Sequence, residues 1–291
     1  MRLLWVGLLS LGILTAGYTR DLAVMLGYDG TSWRVVFYDG TEEKTRSVTL
    51  EEEPHGFDYD FRSHRLLYSD AMGQVHIRDL SVKRERLLAL PKENGYIQPV
   101  FSCQEGWVYL VELPKHSSRA ARIVRVGLEN GTKEIVVEQN SAQLEPMEVQ
   151  DGRHLLFTSL SCNHGCGKLI QEIWWKDLIS GESDQLTLLN AFNSHPVSKE
   201  GKLYFVSNRG GAYHIWKQRL KEKGGAAVQL THGDTTDTSP APLQNGALLF
   251  IRHKNGRDHL ILKTLSGGEK ELPLERKYFK LRQLKVNRCK N

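Results

Sequence analysis

The chain has 291 residues, of which 40% are hydrophobic and 25% are charged, and its formal net charge is +5. This balance is typical of a globular chain with enough apolar side chains to bury a core, and it excludes disorder as the main state. The small net charge does not indicate a specific nucleic-acid-binding protein.

The first 17 residues differ from the rest of the chain. Arg2 is followed by an apolar run from Leu3 to Leu14 and by the small residues Thr15, Ala16 and Gly17. This pattern predicts a secretory signal peptide over residues 1–17, because the apolar run is shorter than the ~20 residues that span a bilayer. A retained membrane anchor is the alternative. We expect a mature domain over residues 18–291 without a transmembrane segment, in the periplasm or secreted into the medium.

Three strand-like runs follow, Leu22 to Tyr28, Trp33 to Tyr38 and Arg46 to Leu50. From Phe57 to about Leu274 a unit then recurs five times. It combines a proline, short apolar strands and glycine-containing turns, and its four clearest prolines, Pro99, Pro146, Pro196 and Pro240, are 44 to 50 residues apart. This period is typical of a four-stranded propeller blade.

Strands are predicted because each apolar run is short, is rich in β-branched and aromatic residues, and ends at an Asn-Gly, Asp-Gly or Gly-Gly turn. Four short strands cannot bury both faces of their sheet, so the units must stack around an axis. The three N-terminal runs and a last strand from Tyr278 to Val286 complete a sixth blade. The sequence therefore predicts an all-β, six-bladed β-propeller, monomeric and closed by its N- and C-terminal strands.

The segment from Pro196 to Thr231 contains Gly201-Lys202-Leu203-Tyr204-Phe205-Val206-Ser207-Asn208-Arg209 and ends in Gln229-Leu230-Thr231. It resembles the repeat of the TolB-type propeller, and a weaker resemblance extends from Phe57 to Leu274. TolB is a periplasmic partner of outer-membrane lipoproteins and has an α/β domain before its propeller; we expect this chain to lack that domain. The resemblance implies a protein or peptide partner in the cell envelope.

Catalytic signatures are absent from the sequence. It contains no Gly-x-Ser-x-Gly elbow, phosphate-binding Gly-x-x-x-x-Gly-Lys loop, Rossmann fingerprint or His-Glu-x-x-His pair. The run Ser69-Asp70-Ala71-Met72-Gly73 departs from the sialidase Asp-box by one position. We therefore expect a non-enzymatic binding module with no catalytic residue and no cofactor.

The residues that enter the inner strands of a propeller gather at one mouth of its channel, together with turns between second and third strands. By blade alignment we predict partner-binding residues there: His55, Gln98, Glu145, His195, Arg209, Asp234 and Asp237. The alternative is a metal-assisted polysaccharide lyase or hydrolase at the same mouth, since TolB-like lyases acting on uronates hold manganese with His and Gln.

The chain has four cysteines, Cys103, Cys162, Cys166 and Cys289. We expect a local disulfide between Cys162 and Cys166, whose intervening Asn and Gly favour a turn. Free thiols, or a partial zinc site with His164, are the alternatives. Residues 275–291 are strongly basic; this pattern is typical of a solvated edge strand and, alternatively, of a contact with phosphate or anionic lipid.

Overall fold

The computed structural model describes residues 21–115, 121–163, 168–188, 190–221 and 224–289. The predicted signal peptide lies outside these ranges. Within them the chain forms strands and turns, and no helix in the described part could traverse a bilayer.

Six four-stranded antiparallel sheets form the six blades, which confirms the predicted propeller. Blade 1 contains β1 (Asp21–Tyr28), β2 (Trp33–Asp39), β3 (Lys44–Thr49) and the last strand, β24 (Lys280–Lys285). Blade 2 contains β4 (Gly56–Asp60), β5 (Arg65–Ser69), β6 (Val75–Asp79) and β7 (Arg84–Leu87). Blade 3 contains β8 (Gly95–Phe101), β9 (Trp107–Leu113), β10 (Arg122–Gly127) and β11 (Lys133–Val137).

The other three blades follow the same order from the inner to the outer strand. Blade 4 contains β12 (Gln143–Glu148), β13 (His154–Asn163), β14 (Lys168–Asp177) and β15 (Ser183–Gln185). Blade 5 contains β16 (Asn193–Lys199), β17 (Lys202–Gly210), β18 (Ala212–Arg219) and β19 (Val228–Gln229). Blade 6 contains β20 (Thr236–Pro242), β21 (Leu248–Lys254), β22 (Arg257–Lys263) and β23 (Glu269–Glu271).

The first and last described strands pair in blade 1, as predicted. Strand β24 pairs antiparallel with β1, with Lys280 opposite Tyr28 and Lys285 opposite Val24. The sheet order is β24-β1-β2-β3, so the C-terminal strand is the innermost strand of this blade. Closure removes the free edge that β1 would otherwise expose.

The core lies between the blades. Each of the six junctions between neighbouring blades holds its own cluster of buried apolar side chains. Phe37 of blade 1, for example, packs edge-on against Tyr59 of blade 2 with ring centroids 5.2 Å apart. Each sheet therefore buries both faces only because it has a neighbour on either side.

Blade 3 also buries a charge. Glu112 is 0% exposed and accepts hydrogen bonds from the side chains of Arg122, Lys133 and Tyr96. Burial raises the pKa of this carboxyl, but the bonds from Lys133 and Arg122 outweigh burial and hold the pKa below its usual value.

The repeat prolines lie within the inner strands rather than in the turns before them. Pro99, Pro146, Pro196 and Pro240 belong to β8, β12, β16 and β20, and the strand pairing shifts register at each of them. An inner strand has no partner on its channel side, so the missing N–H of proline leaves no ladder bond unmade there. The bulge and the proline together form the wall of the central channel.

Candidate functional site: the central channel

One residue of each inner strand has a positive φ angle, and the six form a ring around the channel. We call this set the channel ring: Gly56, Gln98, Glu145, His195, Ser239 and Gln283, with φ of 154°, 50°, 53°, 52°, 52° and 55°. A positive φ angle raises the conformational energy of any residue that has a side chain. Its recurrence at the same place in successive blades therefore indicates that the blade geometry imposes it. In four blades a proline follows directly.

Ring side chains link one blade to the next. The Oε1 atom of Gln283 accepts a hydrogen bond from the N–H of Phe57 in blade 2, at 3.0 Å. Gln98 Oε1 accepts from the N–H of Glu145 at 2.7 Å, and Glu145 Oε2 accepts from the N–H of His195 at 2.9 Å. These bonds satisfy backbone donors of the inner strands, which have no neighbouring strand on the channel side.

Two charged residues, Asp58 and Lys285, each lie two residues after a member of the channel ring. Asp58 of β4 is 0% exposed, and Lys285 is the last residue of β24. Both oxygens of Asp58 are occupied, because Arg288 binds them at 3.1 and 2.8 Å and the N–H of Phe101 donates to Oδ2 at 2.8 Å. Lys285 has no hydrogen bond or ion pair to any described residue, and burial lowers the pKa of its ammonium group.

The segment after β24 lies across the lower end of the channel. Arg288 also donates to the carbonyl of Phe101, and a lower cavity is lined by Arg288 with residues of β12, β16, β20 and β24. Burial would lower the pKa of Arg288, but Asp58 outweighs burial and raises it. A disulfide joins Cys289 to Cys103 of blade 3, with the two Cα atoms 5.3 Å apart. The tail thus spans blades 1 to 3 beneath the channel.

The upper cavity begins at the ring and reaches Lys285. Its volume is about 80 Å³. Its walls include five residues of the channel ring, the four repeat prolines, Val100, Met147, Val197 and Leu284. One water needs about 10–15 Å³ by the same measure, so several water-sized groups fit. The His195 side chain is 36% exposed although it belongs to an innermost strand. The mouth is therefore open to solvent.

The structure brings three of the seven predicted site residues together at the mouth: Gln98, Glu145 and His195. His55 is exposed and lies one residue before the ring, and its carbonyl accepts from the N–H of Gln98 at 3.4 Å. Asp234 is exposed in the turn before β20, and Arg209 is exposed near the end of β17, over the ring of Trp216. These two belong to the outer rim.

Asp237, which was predicted to bind a partner at the channel mouth, is buried in the structure. Its side chain is 0% exposed, and Arg252 binds both carboxylate oxygens at 2.7 and 3.1 Å. His214 Nδ1 lies 3.5 Å from Oδ2. In this position the Asp237 carboxylate links β20 to the neighbouring strand β21, and its hydrogen bonds are made within the protein.

Two further predictions concern metals and cysteines. Across the described ranges, no three His, Cys, Asp or Glu side chains are grouped so that they could hold a metal ion. Cys166 and His164 lie outside those ranges, so the Cys162–Cys166 bridge stays a prediction. The Cys103–Cys289 disulfide was not predicted.

The sequence analysis missed several channel residues, among them Ser239, Gln283 and Lys285. Ser239 precedes Pro240 and so shares the residue-before-proline pattern of Gln98, Glu145 and His195. This pattern alone would have found it. Gln283 and Lys285 carry no such signal, because leucine follows Gln283 and the last strand was interpreted only as a closing strand.

No protein-family model matches the sequence, and a search of the curated proteins finds no match. Solved structures do match. TolB from Acinetobacter baumannii superposes with a TM-score of 0.73 at 17% identity, over 93% of this chain and 68% of that one. A putative TolB from Agrobacterium tumefaciens gives 0.63 at 16% identity, over 87% and 88%. An oligogalacturonate lyase in complex with manganese gives 0.60 at 16% identity, over 87% and 74%. The chain therefore has the TolB-like propeller fold.

Proposed function

We propose that this protein is an exported, non-enzymatic binding module that takes a protein or peptide partner of the cell envelope at its channel mouth. The observation that carries the proposal is the asymmetry of the channel. The upper end is open, with a ring of polar side chains and proline walls, whereas the lower end is covered by a disulfide-bonded tail. In the described part of the chain, the open upper mouth is the side from which a partner can reach the axis.

Two further features support the assignment. Disulfides persist in oxidising compartments, so the Cys103–Cys289 bond is in keeping with export. His55 lies one residue before the channel ring, and Arg209 and Asp234 lie on the outer rim. All three are exposed on strands or short turns, and such positions suit recognition. The similarity to TolB structures supports a partner in the envelope.

Site-specific photocrosslinking in cells tests the proposal. A photoreactive phenylalanine analogue replaces His195 at the mouth, and the same analogue replaces Val82 as the control, since Val82 is 68% exposed in an outer turn. We expect a discrete light-dependent protein adduct from position 195 and none of that mass from position 82. Equal adducts from both positions, or none from position 195, would show that the mouth is not the binding surface.

A further inference from the structure

The amides of Gln98 and Gln283 are oriented by the blades. Gln98 Oε1 accepts a hydrogen bond from a backbone N–H at 2.7 Å, and Gln283 Oε1 accepts one at 3.0 Å. The oxygen of each amide is therefore already hydrogen-bonded. The opposite end of each amide is therefore the NH₂ group, a donor. Neither NH₂ group donates to a described residue, and both side chains line the upper cavity.

Lys285 adds a positive charge below these donors. It lines both the upper and the lower cavity, on the axis side of β24. The nearby carboxylate of Asp58 is bound on both oxygens by Arg288. Glu145 Oε2 accepts from the N–H of His195 at 2.9 Å and from Gln171 Nε2 at 3.3 Å. The ammonium group is thus left without a hydrogen-bonded counterion among the described residues.

We propose that the channel binds a carboxylate group, with Lys285 as its counterion and the NH₂ groups of Gln98 and Gln283 as additional donors. The inference rests on the proposed binding function and names the chemistry of the ligand. Gln98, Gln283 and Lys285 are half-buried. Water competes less for hydrogen bonds there than at an exposed surface, so a carboxylate that accepts from all three gains charge-assisted hydrogen bonds. Because all three groups are hydrogen-bond donors, they favour a ligand with acceptor oxygens over a cation.

The charge of the site favours a monoanion. Asp58 and Arg288 offset each other, and Lys285 has no hydrogen-bonded partner among the described residues. Glu145 lines the same cavity, and its Oε1 atom lies 3.8 Å from His195 Nδ1. A doubly charged phosphate would place a second negative charge close to Glu145, and the described residues that line the cavity include no second lysine or arginine. A carboxylate needs only one cation and has planar oxygens that accept several hydrogen bonds.

The walls indicate what is attached to the carboxylate. Pro99, Pro146, Pro196 and Pro240 surround the path from the ring to Lys285, and all four are buried. The group next to the carboxylate is therefore apolar. Both the C-terminal residue of a peptide and a free small carboxylic acid have this chemistry.

Calorimetric titration of the full chain separates these cases. The probes are acetyl-Gly-Gly-Leu with a free C-terminal carboxylate, the same peptide with a C-terminal amide, and sodium propionate. We expect the free acid to bind at least tenfold more tightly than the amide. Propionate that binds as well as the peptide assigns the site to free acids, and weaker propionate binding assigns it to peptide C-termini.

Lys285→Met is the test variant, and Lys280→Met is the matched control, because Lys280 is exposed on the same strand. We expect Lys285→Met to abolish the preference for the free acid while thermal unfolding stays cooperative, and Lys280→Met to keep it. Equal binding of acid and amide, no saturable binding of any probe, or an unchanged preference in Lys285→Met overturns the carboxylate site. If the adduct at position 195 persists in that case, the binding function stands without this ligand.

Discussion

Replacing Cys103 and Cys289 together by serine removes the covalent link between the C-terminus and blade 3. The two cysteines are 186 residues apart, so the bond closes most of the chain into one loop. The loop-entropy relation gives about 5 kcal/mol of stabilisation for a loop of this length. Arg288 keeps its contacts with Asp58 in the variant, so the loss arises chiefly in the unfolded chain.

Guanidinium unfolding followed by circular dichroism measures the effect. With a denaturant slope of about 5 kcal/mol/M, a loss of this size lowers the midpoint by about 1 M. The wild-type protein and the double variant, both unfolded with a reductant, should have the same midpoint. We expect both to remain folded in the absence of denaturant, because every blade junction is still packed.

The matched control is the double variant Cys162→Ser, Cys166→Ser. A disulfide between these cysteines closes a loop of only a few residues, for which the same relation gives about 2 kcal/mol. This variant also tests the predicted local bridge, since an unchanged midpoint means that the two cysteines are not paired. A loss below about 1 kcal/mol in the Cys103, Cys289 variant, measured against oxidised wild type, would refute the loop-entropy reasoning.

Three other perturbations test the fold and its buried charges. Truncation after Leu274 removes β24 and exposes the edge of β1, so we expect cooperative thermal unfolding to be lost; an unchanged melting curve contradicts closure by the termini. Glu112→Gln should cost about 3 kcal/mol at pH 7, because it leaves the cations of Arg122 and Lys133 without their buried partner. Since the folded pKa of Glu112 lies below the unfolded value, wild-type stability should fall as the pH drops below about 4 and through the folded pKa, whereas urea unfolding of the variant should lack this component. Lys285→Met should raise the melting temperature at pH 7, because burial disfavours the charged ammonium group and lowers the folded pKa of Lys285. The unfolded chain therefore binds more protons between the folded pKa and about 10.4. Wild-type stability should rise with pH across that interval, and the variant should lack this component. A lower melting temperature in the variant would mean that Lys285 is stabilised by a partner.

Local sequence determined the strands and their grouping into blades. Short β-branched runs, turns with glycine and a proline at fixed spacing act within one blade, so their pattern is visible without a structure. Ring closure also followed from the sequence, because three N-terminal strands and one C-terminal strand are each incomplete as a blade. The predicted mouth residues Gln98, Glu145 and His195 were found because they precede the repeat prolines.

Tertiary structure alone decided which side chains without a following proline reach the axis. For these residues, facing the channel depends on the rotation from one blade to the next, and that rotation is not encoded in a short segment. Asp237 is hydrogen-bonded to Arg252 inside blade 6, whereas Lys285 lines the channel. Cys103 and Cys289 meet across 186 residues because the closed ring brings the last residues of the chain beneath blade 3.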